Sequence, residues 1–170
     1  IVRNSLQEIR KIIFDLRPMS LDDLGLIATL KQYTNRFMKE TRIDVILETY
    51  PEHTSIDPLI EVAVFRIIQE ALNNVLKHAN ATQVFISLKI IEDTLIGSVI
   101  DNGKGFDAAN LCFNRSRNME YGGFGIYSMK QRAELMKGKL NINSQVGKGT
   151  TVRMEIPLNP QEKEREFYHD

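Results

Sequence analysis

Apolar positions along this chain follow two rhythms. Val2, Leu6, Ile9, Ile13 and Leu16 alternate spacings of four and three, a heptad seam that predicts a helix meeting another helix. Arg17 and Pro18 predict its end, because the residue before proline is pushed out of the helical region. Ser20 with Asp23 reads as a capping box, and a second helix is expected from there to about Arg42, with Gly25 weakening its start. Residues 43–49, IDVILET, read as a strand. Pro51 and Pro58 bracket a loop, and Ile60 to about Ala79 reads as a long helix whose core arc holds Val64, Ile68, Ala71, Leu72, Val75 and Ala79. Val84 to Ile91 and Leu95 to Ile100 form a strand pair around a turn at Glu92-Asp93. Residues 103–123 carry little periodicity, which predicts a mobile functional loop. A helix follows near Ile126–Met136, stopped by Gly138, and two strands flank GKG at 147–149. The expected fold class is α+β: a two-layer α/β sandwich with helices packed on a mixed, largely antiparallel sheet.

Composition narrows the classes. The chain has 170 residues, which predicts one domain with an appendage and a core of real size. Lys plus Arg and Asp plus Glu balance at 22 each, so no global basic field argues for nucleic acid. The single cysteine, Cys112, excludes an internal disulfide framework and fits a reducing, cytoplasmic setting. No apolar run approaches transmembrane length, so no membrane contact by this fragment is expected. The chain opens on Ile1 and its first methionine is Met19, which predicts a piece of a longer protein.

The long helix carries a polar stripe opposite its core arc. At 100° per residue, and relative to Glu70, Asn74 falls at about 40°, Lys77 at about −20° and His78 at about 80°. A solvated surface face is one reading. Two adjacent asparagines in the middle of a helix, Asn73 and Asn74, oppose it, since Asn is a poor helix former. Ala63 and Ile67 also fall on the polar side, as if that side faced a cavity. A carboxylate and an amide oxygen one turn apart suit a hard cation such as Mg²⁺, which uses few protein ligands. Lys77 and His78 are then candidates for phosphate oxygens.

Three glycine stretches follow. DNGKGF, 101–106, reads first as a hairpin turn, yet the next residues do not alternate as a second strand would. Gly103, Gly105 and Ala108 also match G-x-G-x-x-A, which is discounted because no βαβ unit surrounds it. A third reading has Asp101 accept from a base amino group while the glycines admit a close ligand. GGFG, 122–125, sits before a helix whose free N–H groups suit phosphate, although a flexible loop end is equally compatible. GKGTT, 147–151, reads as a hairpin, with Thr150 free to bond a ligand. No G-x-x-x-x-G-K-[ST] phosphate loop exists anywhere in the chain.

The order of these segments carries more than any of them alone. An E-x-x-x-N helix, then D-x-G-x-G at a strand end, G-x-G before a helix and G-x-G-T in a hairpin resemble the ATP-binding domain of sensor histidine kinases, whose fold is shared by gyrase, Hsp90 and MutL. IRKIIFDLRPMSLDDLGL at 9–26 and FRIIQEALNNVLKHANA at 65–81 look like the DegS-type branch, near the DesK and nitrate-sensor kinases. The resemblance runs to about Leu158.

It implies a Bergerat-type ATP-binding fold at 18–158, preceded at 1–17 by the end of a dimerisation stalk and followed at 159–170 by a charged tail. It implies ATP and Mg²⁺ as ligands. Asn74 would hold the Mg²⁺ and Glu70 would match the general base of the ATPase relatives. Lys77 and His78 would lie near the phosphates. Asp101 would accept from the adenine amino group, assisted by Thr150, in a pocket shaped by Gly103 and Gly105. Gly123 and Gly125 would meet the phosphates at the end of a lid formed by 106–122. The implied partners are the phosphoacceptor helix of a homodimeric kinase and a response regulator. The family's acceptor histidine lies in an acidic stretch such as E-L-H-D, and none of His53, His78 or His169 stands in one, so the acceptor helix is expected to be missing here. Ser128 stands where the branch often has Gly. Two other functions remain open: an ATPase or serine kinase of the same fold, and a nucleotide-binding interaction module without catalysis. Intact Glu70 and Asn74 favour catalysis, and the heptad helix leading into Leu16-Arg17-Pro18 favours the histidine kinase.

Overall fold

The computed structural model describes residues 19–51, 55–107 and 123–159. The heptad seam at 2–16, most of the expected lid and most of the tail lie outside the described residues, as does the Ser20 side chain on which the expected cap depends.

Five strands form one sheet in the order β1-β2-β3-β5-β4. They are β1 (Asp44–Tyr50), β2 (Gln83–Ile91), β3 (Thr94–Asp101), β4 (Lys139–Gln145) and β5 (Gly149–Pro157). β1 and β2 run parallel, and every other pair is antiparallel. A parallel pair cannot close through a tight turn, so the chain crosses back over the sheet as helix α2 (Pro58–Asn74). The turn between β2 and β3 has positive φ at Glu92 and Asp93, the conformation that matches hairpin twist.

The strands alternate. Val84, Ile86 and Leu88 of β2, Leu95 and Val99 of β3, and Val152, Met154 and Ile156 of β5 turn inward and are buried. Ile46, Lys89, Ile100 and Arg153 turn to the opposite, open face. The inward face is covered by α1 (Met19–Thr41), α2 and α3 (Gly123–Leu135), with α2 between the other two. Each fully buried Ile or Leu contributes about 1.5–3 kcal/mol, so this single seam between sheet and helices holds the domain. Asp57 caps α2 by accepting from Leu59 N–H at 2.8 Å, with Pro58 in the first turn where its missing N–H costs nothing.

Four local expectations change. Gly25 (φ 74°, ψ 177°) breaks α1 outright instead of merely weakening its start. The Leu26 N–H freed by that break donates to the buried Glu61 carboxylate at 3.2 Å. The expected helix 60–79 is α-helical only to Asn74, then widens into a π turn over Val75–Ala79 that ends at left-handed Asn80. Ala63 and Ile67 do not face a cavity; both are fully buried, because α2 is flanked on two sides by other helices. Finally, α3 is stopped by Lys137, not Gly138. Lys137 takes the left-handed φ of 55°, while Lys137 N–H bonds Glu134 O and Gly138 N–H bonds Ala133 O, the two-bond closure of a Schellman motif.

Candidate functional site

Two groups of residues gather at the end of the sheet where β3 stops and α2 closes. The first is built on Asp101, the last residue of β3, whose ladder partners are Val84 of β2 and Thr150 of β5. Its side chain is only 6% exposed. One oxygen, Oδ1, accepts the Gly103 N–H at 2.8 Å, and among the described residues nothing donates to the other. A buried carboxylate with one oxygen held by backbone and one left over is an acceptor waiting for a donor.

The chain after Asp101 does not turn back as a hairpin. Asn102 Oδ1 accepts the N–H groups of Thr82 and Gln83, both at 3.0 Å, tying the loop to the entrance of β2. Lys104 N–H donates to Ala79 O at 2.7 Å, tying it to the π turn. A Cβ on Gly103 would strike Ala79, with Ala79 Cβ 2.7 Å and Asp101 Oδ1 2.8 Å away, so only glycine lets this loop lie against the helix end.

The β4–β5 hairpin closes on the same loop. Gly147 N–H donates to Lys104 O at 2.7 Å. Gly149, at φ 80°, packs directly on the Asp101 carbonyl, where an L side chain would meet both strain and backbone. Ser144 is the clasp. Its hydroxyl accepts Phe106 N–H at 2.9 Å and donates to Gly149 O at 3.1 Å. It also bonds Thr150 Oγ1 at 2.9 Å; with its own proton spent on Gly149, Thr150 is the donor there, which leaves the Thr150 oxygen able to accept. Asp101, Gly103, Gly105 and Thr150 are thus brought together.

The second group lies along α2. Glu70 and Asn74 stand one turn apart, both half-buried. The first turn of α3 lies across them. A Cβ on Gly125 would collide with Glu70 Oε1 and stand 3.6 Å from Asn74 Nδ2. Among the described residues, neither the Asn74 amide nor the Glu70 carboxylate makes a hydrogen bond. Gly123 is the first residue of α3, so its N–H and those just after it lack partners within the helix. Burial lowers the affinity of the half-buried Arg132 guanidinium for its proton; the Glu70 carboxylate opposes that effect and Arg66 adds to it.

Lys77 and His78 are exposed on the π turn between the two groups. The 100° rotation that put them on the Glu70 stripe applies only to Asn74, and among the described residues neither makes a hydrogen bond or ion pair. Ser144 and Asn102 were not foreseen from the sequence. Ser144 had a signal, since it continues the inward alternation of Leu140 and Ile142 with a polar residue. Asn102 was hidden inside an apparent Asn-Gly turn.

The profile of the "Histidine kinase-, DNA gyrase B-, and HSP90-like ATPase" family matches residues 60–160. The chain belongs to that family. It is 40% identical over 167 residues to the signal transduction histidine-protein kinase/phosphatase DegS of Brevibacillus brevis, covering 95% of this chain and 40% of that protein. It is 38% identical over 158 residues to the oxygen sensor histidine kinase NreB of Staphylococcus carnosus strain TM300, covering 93% of this chain and 44% of that protein. The chain therefore spans less than half the length of these curated relatives. The fold matches the blue-light activated histidine kinase of Erythrobacter litoralis with a TM-score of 0.62 at 20% identity, over 81% of this chain and 43% of that one. It matches the histidine kinase AdeS of Acinetobacter baumannii with a TM-score of 0.60 at 14% identity, over 79% and 64%. The α+β sandwich is thus the histidine-kinase ATPase-domain fold, and the family binds ATP. The residues present fit that ligand: a leftover acceptor on Asp101 suits an adenine amino group, and an unengaged amide beside a carboxylate suits a phosphate-bound cation.

Proposed function

We propose that this domain binds Mg-ATP and passes the γ-phosphoryl group to a histidine on a stalk helix of the same kinase dimer, for relay to a response regulator in the cytoplasm. What supports the reading is that separated segments meet in two groups along and at the end of α2: Glu70 and Asn74 with Gly125, and Asp101–Gly105 with Gly149–Thr150.

The base would dock first. Its amino group donates to Asp101, and Thr150 accepts through water. The open glycine loop admits the ring because Gly103 and Gly105 add no side chain. Asn74 would hold Mg²⁺, which supplies charge neutralisation at the phosphates. The N–H groups at the start of α3, around Gly123 and Gly125, offer hydrogen bonds and partial positive charge to the phosphate chain. Lys77 and His78 are long or rotatable enough to join from the π turn.

In the transfer step the bond from the γ-phosphorus to the bridging oxygen breaks and ADP leaves with the electron pair. An imidazole nitrogen forms the new N–P bond, and Glu70 takes the imidazole proton. Positioning and electrostatics dominate such a step, so docking of the acceptor helix sets the rate. Phe124 and Tyr127, exposed on the first turns of α3, give that helix an apolar landing beside Glu70.

Incubation with labelled ATP and Mg²⁺ tests the reading. The chain alone binds nucleotide and retains no acid-labile phosphate. Supplied with a helix bearing the acceptor histidine, it labels that helix. Self-labelling of this chain would contradict the missing acceptor, and ATP hydrolysis without any transfer would favour the ATPase alternative.

A further inference from the structure

We propose that Ser144 sets the base selectivity of the site: it holds the Thr150 proton, so the floor under the base presents acceptors alone and selects a purine bearing an amino group over one bearing a keto oxygen. This rests on the reading that the base docks at Asp101.

The strand register builds that floor. Across β3, β5 and β4 the inward positions fall in rows: Gly97, Met154 and Leu140, then Val99, Val152 and Ile142, then Asp101, Thr150 and Ser144. The first two rows are apolar and pack in the core. The third replaces them with a carboxylate and two hydroxyls. Residues directly opposite on neighbouring strands share a face, so these three oxygen-bearing side chains stand side by side where the core ends.

The surroundings decide which of these oxygens carries a proton toward which. Gly149 O, 3.1 Å from Ser144 Oγ, can only accept, so Ser144 spends its single proton there. Phe106 N–H donates to the same hydroxyl oxygen at 2.9 Å. The remaining contact, with Thr150 Oγ1 at 2.9 Å, is therefore made by the Thr150 proton. Among the described residues, no hydrogen bond joins Thr150 to the Asp101 carboxylate, which accepts only the Gly103 N–H. Ser144 is thus the acceptor that holds the Thr150 hydroxyl in one orientation.

The free Asp101 oxygen and the Thr150 lone pairs are then all acceptors. An amino group at position 6 of a purine supplies the donor this row lacks. A keto oxygen in the same place sets acceptor against acceptor, which is worse than a bond not made. Ser144 acts through Thr150 and is a positioning residue.

Calorimetric titration of the 170-residue chain with ATP and with inosine triphosphate tests the assignment. The wild type binds ATP more tightly. Ser144→Ala loosens the clasp for both nucleotides alike, and it also frees the Thr150 proton to meet a keto oxygen, directly or through water. The preference for ATP therefore falls about fivefold, the worth of one hydrogen bond. Ser144→Thr keeps the hydroxyl and retains the wild-type preference. In a Thr150→Val background, Ser144→Ala leaves the preference unchanged. Two affinities that fall together in Ser144→Ala, with their ratio intact, show a structural clasp only and overturn the Ser144 assignment alone. Equal wild-type affinity for the two nucleotides removes the base from Asp101, and the role of Ser144 falls with it. Neutron diffraction from a deuterated crystal of the unliganded chain reads the same point without a variant: the Thr150 deuteron lies toward Ser144 Oγ, and a deuteron turned away from Ser144 overturns the proposal.

Discussion

Asp101→Asn probes the site with almost no change of shape. In the wild type, Gly103 N–H fixes Oδ1 as an acceptor at 2.8 Å. The asparagine oxygen must take that place, because its amino group cannot accept from an N–H. The asparagine NH₂ therefore points where the leftover carboxylate oxygen was, and presents a donor to the adenine amino donor. The lost interaction is a hydrogen bond to a charged acceptor at a site 6% exposed, worth about 1.5–3 kcal/mol. That corresponds to an ATP affinity lower by about 10- to 150-fold. The fold tolerates the change, since the Gly103 bond survives and a buried charge is removed; the melting temperature of the free variant stays within about 3 °C of wild type. Calorimetric titration with ATP measures the loss. Titration with inosine triphosphate supplies the converse, because its keto oxygen accepts from the new NH₂, so the variant prefers it to ATP. Equal ATP affinity in variant and wild type, or no change in base preference, would refute the placement of adenine at Asp101.

Other outcomes follow from the same geometry. Asn74→Ala weakens binding of Mg-nucleotide at least tenfold more than Asn73→Ala does, since Asn73 sits about 100° from Asn74 and about 60° from Glu70 around a helix of 3.6 residues per turn; equal losses would break the face assignment. Gly149→Ala adds left-handed strain to a clash with the Asp101 carbonyl, and costs about 3 kcal/mol in urea unfolding. A cost below about 1 kcal/mol would show that the clasp between hairpin and Asp101 loop gives way easily. Phe124→Ala with Tyr127→Ala leaves ATP affinity intact while raising the KM for an acceptor helix; unchanged KM would remove the docking role of that patch.

The parts of the fold most readable from the sequence were those whose pattern had one physical solution. The arc Val64, Ile68, Ala71, Leu72, Val75 and Ala79 is buried throughout, because one helix face must meet the sheet. The β2–β3 hairpin was readable because two apolar runs meet at a two-residue polar turn. The π turn was not, because Val75 and Ala79 repeat at a spacing that an α turn and a wider turn both satisfy. Gly138 misled because glycine is the usual left-handed residue after a helix. Here Lys137 takes that conformation, while Gly138 is needed because a Cβ would strike the Glu155 carbonyl. At the site, the order of glycine stretches pointed to the nucleotide, but the clasp depends on Ser144, which meets Phe106 and Gly149 only after the sheet has formed.

The central claim is that these separated segments form one site for Mg-ATP. A thermal-shift titration of the chain with ATP, with and without Mg²⁺, tests it most directly. At a hundredfold excess over the dissociation constant, a ligand confined to the native state adds about 2.7 kcal/mol. For a domain of this size that raises the melting temperature by about 5–10 °C. A saturable rise of that order is expected with ATP, larger when Mg²⁺ is present and largely lost in Asp101→Asn. A melting temperature indifferent to ATP at millimolar concentration, with or without the metal, would contradict it.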